Sequence, residues 1–188
     1  MKEFIDKFHS ISNRYFSIMD RFTGKNATCI IPRLKKLIQN DPTYFESYNS
    51  LVDLLMLSGK DSEASGYINQ ASRRALKRIA DKNGNWPDRL KWSFIENRHI
   101  IKPIFNRAVL YWDEGESEKA LYLLRKLLLS NPNDNIGARD YILAIRMKMT
   151  FDQFEKRFNK GGFYDKDLME WFDQNYKKFP NEFNWWEK

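Results

Sequence analysis

The segment that decides the fold occupies residues 86–147 and reads WPDRLKWSFIENRHIIKPIFNRAVLYWDEGESEKALYLLRKLLLSNPNDNIGARDYILAIRM. Within it, Gly115, Ala120 and Pro132 follow Tyr111 by 4, 9 and 21 residues. Apolar residues before and after the glycine recur at helical spacing. The segment therefore predicts two helices folded back on each other, and a third that begins after the proline.

Four residues set the predicted helix ends. Gly115 ends the first helix, because glycine enters the left-handed conformation without steric cost. Pro132 ends the second, because proline cannot continue a helix. Ser117 is the expected N-cap of the second helix, and Asp134 that of the third. Links this short favour antiparallel neighbours.

The same residues resemble the tetratricopeptide repeat (TPR) family, whose pattern spans 34 residues. The matching positions are Ile104, Ala108, Tyr111, Gly115, Ala120, Leu124 and Pro132. Two positions depart from the pattern: the first lacks its tryptophan, and Arg107 replaces a usual leucine. The run from ENR (96–98) to NPNDN (131–135) also looks like a bacterial TPR subfamily. The resemblance implies a fold and a binding role rather than a reaction.

We predict an all-α, right-handed helical-repeat domain of about nine helices over residues 1–188. Its predicted parts are an N-terminal helix pair (1–40), a degenerate repeat (43–82), an insertion (83–95), the best-matching repeat (96–133), a third pair (134–160), and a capping helix with a tail (161–188). Ser62 is the expected cap within the degenerate repeat.

The two ends of the chain carry further predictions. Residues 3–21 read as a packing helix. A membrane-surface helix is the alternative, but the polar face mixes acidic with basic residues. Gly161-Gly162 predicts a hinge or C-cap, and Asp165 leads the capping helix. The tail with Trp185-Trp186 either docks on the last helix, which we favour, or serves as a peptide that another copy binds.

Composition excludes several classes of protein. Apolar residues make up 42% of the 188 residues, which argues against global disorder. Cys29 is the single cysteine, so no internal disulfide is possible, and we expect it to be a buried apolar residue. The start lacks a secretory signal, and no window has the roughly 18 apolar residues of a membrane span. We therefore expect a cytoplasmic protein.

No residue pattern predicts catalysis. His9 and His99 are the two histidines, and they fall on different predicted helices with no metal-ligand spacing. We expect His99 to pack or hydrogen-bond near the start of its helix. No nucleophile elbow and no phosphate loop is present. We predict a chain that is not an enzyme and binds no metal and no cofactor.

In TPR proteins the first helix of each pair lines a concave groove, so the resemblance implies a binding surface on this chain. Its predicted residues are Asn49, Asp53, Lys102, Phe105, Trp112, Arg139 and Arg146. Arginines there would pair carboxylates, and aromatic rings would supply apolar anchors. The groove lacks the lysine and asparagine pattern of chaperone-binding repeats.

A basic stretch supplies the alternative site. Its cations are Arg73, Arg74, Lys77, Arg78, Arg89 and Lys91, together with Lys82. Trp86 and Trp92 interleave with them, and bases stack on such rings while cations pair phosphates. The plainer interpretation is a solvated helix face with core tryptophans.

We therefore predict a scaffold that binds an unidentified peptide or protein segment in the groove. Nucleic-acid binding through the basic stretch is the alternative. The net charge of +7 permits anionic partners without requiring them. Self-association through aromatic surfaces is a further alternative, and light scattering would test it.

Overall fold

The computed structural model describes residues 2–160 and 166–185, and these residues form an all-α protein. The chain divides into two compact units, Met1–Arg107 (unit 1) and Ala108–Lys188 (unit 2). Extended pairing within the described residues is limited to an isolated bridge between Glu3 and Arg89. None of the described helices is long and apolar enough to cross a lipid bilayer.

Unit 1 contains four complete helices. They are α1 (Ser12–Met19), α2 (Ala27–Asn40), α3 (Glu46–Leu57) and α4 (Asp61–Ile79). The next helix, α5 (Ile95–Asp113), contains the boundary between the two units. Helix α3 packs against both α2 and α4. Its buried residues Tyr48, Leu51 and Leu55 recur at helical spacing and form the centre of the unit 1 core.

Unit 2 contains the remaining helices. They are α6 (Ser117–Ser130), α7 (Ala138–Arg146), α8 (Phe151–Phe158), α9 (Lys166–Asn175), a 3-10 turn (Tyr176–Lys178) and α10 (Pro180–Phe183). Aromatic rings fill the core of this unit. Phe154 lies 5.2 Å from Phe158, and Phe158 lies 4.9 Å from Trp171, measured between ring centroids. Each of the three side chains is buried.

The local stop and start signals around α6 and α7 are confirmed in part. Gly115 follows the last turn of α5 and has a φ of +81°. Glycine adopts this left-handed conformation without steric cost, so the prediction that it ends the helix is confirmed. The N-cap position of α7 is Gly137 rather than Asp134, but the Asp134 carboxylate oxygens accept the first amides of the helix, from Ala138 at 2.8 Å and Arg139 at 3.0 Å. Ser117 is wrong as a cap: α6 begins on it, and its side chain makes no cap hydrogen bond.

Two other local predictions are wrong. Ser62 does not cap α4, which begins at Asp61. Cys29 is exposed, because it shares the outward face of α2 with Arg33 and Lys36. The described residues form ten α-helices, which agrees with the prediction of about nine.

The predicted helix over 3–21 is also wrong at its beginning, since α1 covers Ser12–Met19 and residues 2–10 are not helical. Near the tail, Phe183 is buried and lies 5.4 Å from the Phe172 ring, whereas Trp185 is exposed, so the docking of the two tryptophans stays a prediction. Gly161-Gly162, Asp165 and Trp186 lie outside the described residues.

Candidate functional site

Residues 2–10, which we call the N-terminal strap, run in an extended conformation across unit 1. The Phe4 amide donates to the Arg89 carbonyl at 2.9 Å, and the Arg89 amide donates to the Lys2 carbonyl at 3.1 Å. The Asn97 side-chain amide adds a 2.9 Å bond to the Phe4 carbonyl. These bonds satisfy backbone groups that a helix would have satisfied internally. They explain why the helical spacing of the strap does not produce a helix.

The extended strap turns Asp6 into the protein. Asp6 is buried, whereas its neighbours Ile5 and Lys7 are exposed. The Asp6 backbone amide donates to Asn97 Oδ1 at 3.1 Å, which fixes this register.

The Asp6 carboxylate is the centre of a buried polar cluster. Its Oδ1 accepts from Arg78 Nε at 3.0 Å and Nη2 at 2.7 Å. Its Oδ2 lies 3.1 Å from Nε2 of both His9 and His99. Burial alone would raise the pKa of Asp6, but hydrogen bonds from His99, Arg78 and His9 hold that pKa well below its usual range.

Hydrogen bonding determines where the proton of His99 lies. The Phe45 backbone N–H donates to His99 Nδ1 at 3.0 Å, so this nitrogen must carry a lone pair. The other nitrogen, Nε2, therefore carries the proton and donates it to Asp6. The prediction that His99 hydrogen-bonds near the start of its helix is confirmed.

His9 lies between two carboxylates. Its Nδ1 is 2.8 Å from Asp41 Oδ2, and its Nε2 faces Asp6. Because an ionised carboxylate can only accept, a doubly protonated ring satisfies both contacts. The hydrogen bond from His9, with those from Thr43, outweighs burial and lowers the pKa of Asp41.

Asp6, His9 and His99 are also the described residues that could hold a metal ion, since one ligand atom from each lies within 4.8 Å of the others. Two histidines and a carboxylate suit several transition metals. However, both Nε2 atoms carry protons here, and the Arg78 guanidinium pairs with the same carboxylate. A cation would have to displace two protons beside a fixed positive charge. The contacts therefore favour a hydrogen-bonded cluster over a metal site.

A cleft of about 450 Å³ opens above this cluster and lies entirely within unit 1. Its floor includes His9, His99 and Tyr44. The strap forms one wall, α1 another, and the beginning of α5 a third. We call this feature the unit 1 cleft.

The rim of the unit 1 cleft is apolar and open to solvent. Phe8 is 75% exposed, Ile95 72% and Phe16 56%. Trp92 completes the rim, with the Arg98 guanidinium 5.5 Å from its ring centroid. Large apolar side chains grouped around a concave surface mark a binding site more often than isolated exposed ones do.

Tyr44 is the polar side chain on the floor that has no partner. Its ring is buried and lies 5.4 Å from the His9 ring and 5.5 Å from the His99 ring. Its hydroxyl makes no hydrogen bond within residues 2–160 and 166–185. Burial, with a smaller contribution from Glu46, raises the pKa of the phenol, so the hydroxyl keeps its proton as a donor.

The predicted groove residues of unit 1 have mixed environments. Asn49 is buried, and its side-chain amide donates to Glu46 at 3.0 Å and to the His99 carbonyl at 3.4 Å. Asp53 is exposed, and Phe105 is half-buried. Lys102 lines the unit 1 cleft and pairs with Glu46 at 3.7 Å.

The predicted groove residues of unit 2 take part in internal contacts. Trp112 is buried and donates from Nε1 to the Met149 carbonyl at 3.1 Å. The Arg139 guanidinium lies 5.0 Å from the Phe172 ring centroid. Arg146 pairs with Glu182 at 2.7 Å.

The predicted basic patch divides between two faces. On α4, Arg73 and Lys77 are exposed, whereas Arg78 pairs with buried Asp6 and Arg74 hydrogen-bonds to the Tyr48 hydroxyl. Farther along, Lys91 pairs with Glu3 at 2.7 Å, and Arg89 is exposed. Of the two interleaved tryptophans, Trp86 is half-buried and Trp92 belongs to the cleft rim.

The sequence reasoning missed the polar cluster and the cleft above it. Asp6 is one of the acidic residues on the polar face of the helix predicted over residues 3–21, and no spacing pattern joins positions 6, 41, 78 and 99. An aspartate three residues before a histidine, in a strongly apolar stretch, was the one local signal.

Comparisons with known proteins were made by sequence and by structure. No protein-family model matches this chain, and neither curated proteins nor solved structures include a significantly similar one. The TPR resemblance, whose best-matching repeat covers residues 96–133, stays a prediction.

Proposed function

We propose that this chain is a non-enzymatic binding module, and that the unit 1 cleft holds an apolar side chain of a peptide or protein segment. The observation that carries the proposal is the exposed rim of Phe8, Phe16 and Ile95 around a buried floor. Covering these side chains removes apolar surface from water, which favours association.

The floor supports binding because it is pre-organised. His9 and His99 are each held through both ring nitrogens, by Asp6, Asp41 and the Phe45 amide. A floor fixed in this way loses little freedom when a ligand arrives, so less of the interaction energy is spent on ordering.

The size of the cleft favours a peptide segment over a second copy of the chain. A volume of about 450 Å³ suits one or two side chains of a partner. A stable protein–protein interface usually buries about 800 Å² on each partner, and therefore extends beyond such a cleft.

The pairing of the polar groups supports a binding role over a catalytic one. General acid–base catalysis needs a group that can exchange a proton with a substrate. The side chains of Asp6, His9 and His99 are instead committed to one another and to Arg78, Asp41 and the backbone.

The groove predicted from the TPR resemblance remains a separate proposal for the same function. Lys102 belongs to both surfaces. In unit 2, Arg146 would have to exchange its pairing with Glu182 for a ligand carboxylate.

Selection from a displayed random-peptide library tests the proposal. We expect selected peptides to share an apolar anchor and to lose about tenfold or more in affinity for the Phe8→Ser/Ile95→Ser variant, because burying one such side chain contributes about 1.5–3 kcal/mol. Met56→Ser/Leu57→Ser is the matched control, since both residues are exposed at the end of α3. Equal affinity for wild type and the rim variant would contradict the assignment to the cleft.

A further inference from the structure

The unit 1 cleft has more hydrogen-bond donors than acceptors available to a ligand. The Tyr44 hydroxyl and the Lys7 ammonium have no hydrogen bond or ion pair within the described residues. The ring of Tyr44 is buried, and its hydroxyl stays accessible from the cleft that the residue lines. A donor that opens into the cleft and has no protein partner can bond a ligand acceptor in place of water.

The charges on the lining point the same way. Lys7, Arg98 and Lys102 contribute three positive charges, and Glu46 and Glu96 two negative ones. Glu46 is already occupied by Asn49 and Lys102, which leaves Glu96 as the unpaired carboxylate.

We propose that the cleft selects a segment in which a carboxylate lies next to the apolar anchor, with Tyr44 donating a hydrogen bond to it and Lys7 pairing with its charge. This inference rests on the proposed function and adds the chemical class of the ligand. Apolar burial supplies affinity, while the placed donors supply selectivity.

A ligand cation fits the lining less well. It would have Glu96 as its unpaired partner, and it would approach the ammonium of Lys7 and the guanidinium of Arg98. The face of Trp92, the strongest cation acceptor among aromatic rings, is already covered by Arg98.

Four small probes with the same anchor test the inference. They are the N-acetylated dipeptide amides Asp-Phe, Asn-Phe and Lys-Phe, and N-acetylphenylalanine with a free carboxylate. Titrations followed by NMR chemical shifts of the full chain at low salt would compare their affinities. We expect Asp-Phe to bind about three- to tenfold more tightly than Asn-Phe, and this advantage to shrink at about 0.5 M salt. N-acetylphenylalanine shows whether a terminal carboxylate serves as well as a side-chain one.

Two variants connect the effect to the named residues. Tyr44→Phe should weaken Asp-Phe binding about fivefold without lowering the melting temperature, because the hydroxyl has no partner to lose. Lys7→Gln should remove most of the difference between Asp-Phe and Asn-Phe. Lys36→Gln, an exposed lysine on α2, is the control and should change nothing.

The outcomes separate the two proposals. Equal binding of the three dipeptides, or tightest binding of Lys-Phe, would overturn the carboxylate inference and leave the apolar binding site standing. Shifts absent from cleft residues with every probe would overturn the assignment of binding to the cleft. Unchanged Asp-Phe affinity in Tyr44→Phe would remove Tyr44 from the site.

Discussion

At the scale of single residues, Asp6 connects three elements of unit 1. Its carboxylate is fully buried and joins the strap to α4 through Arg78 and to α5 through His99. Moving a carboxylate out of water costs free energy. The four hydrogen bonds that the Asp6 carboxylate accepts from Arg78, His9 and His99 offset this cost.

We expect Asp6→Asn to lower the free energy of unfolding by about 3 kcal/mol, because the change leaves Arg78, His9 and His99 without their shared carboxylate. Urea unfolding of the full chain measures this. Asp20→Asn, at an exposed carboxylate, is the control and should remain within about 0.5 kcal/mol of wild type. A similarly small effect of Asp6→Asn would show that the cluster does not stabilise the fold.

At the scale of elements, a single serine near the start of a helix does not predict its cap, whereas a complete capping box does. Ser62 and Ser117 have the residue type of a cap, yet each lies inside its helix by one or two residues. Thr150 has the complete reciprocal arrangement. Its Oγ1 accepts the Gln153 amide at 3.2 Å, and Gln153 Oε1 accepts the Thr150 amide at 3.0 Å.

We therefore expect Thr150→Ala to cost about 1 kcal/mol, because the first turn of α8 loses its cap. Ser62→Ala is the matched control and should cost less than about 0.5 kcal/mol, since alanine is the better residue inside a helix. Chemical denaturation of both variants measures the difference. Equal losses would mean that the capping box contributes nothing specific.

At the scale of the whole molecule, the two units contain acidic groups of opposite behaviour. In unit 1, hydrogen bonds keep the pKa values of Asp6 and Asp41 low. In unit 2, the pKa of Asp140 is raised to about 7, mainly by burial and in part by nearby Asp134 and Asp173, against the attraction of Arg139. Burial likewise raises the pKa of Asp134 to about 6.

The direction of each pH dependence follows from linkage. Asp6 and Asp41 contribute stability that is present above their ordinary pKa near 3.8 and is lost as the pH falls below it. Asp140 has the opposite effect. Between pH 4 and 7 its carboxyl ionises in the unfolded chain but stays protonated in the folded one, so stability is lost as the pH rises.

We expect Asp140→Asn to be about 1–3 kcal/mol more stable than wild type at pH 8 and equal to it near pH 4, because the amide cannot ionise inside the protein. Urea unfolding at the two pH values measures the difference. Asp113→Asn, an exposed carboxylate of the same unit, should show no such pH-dependent gain. A gain that is the same at both pH values would show that Asp140 is ionised normally.

The sequence by itself determined the helical elements from α2 to α9, because the signals for them are local. Apolar spacing along α3 and α6, the left-handed glycine at position 115 and the Asp134 carboxylate at the start of α7 each act over a few residues. Helix formation and termination depend on neighbours within about one turn, so a single stretch contains the necessary information.

Only the tertiary structure decided the strap, the polar cluster and the cleft. The strap has helical spacing, but it is extended because Arg89, Asn97 and Arg78 offer its backbone and Asp6 better partners. Those partners lie some 70 to 90 positions away, and the state of each histidine depends on which groups reach its two nitrogens. Burial of a charge is decided by the whole set of groups that assemble around it, so no local pattern could predict it.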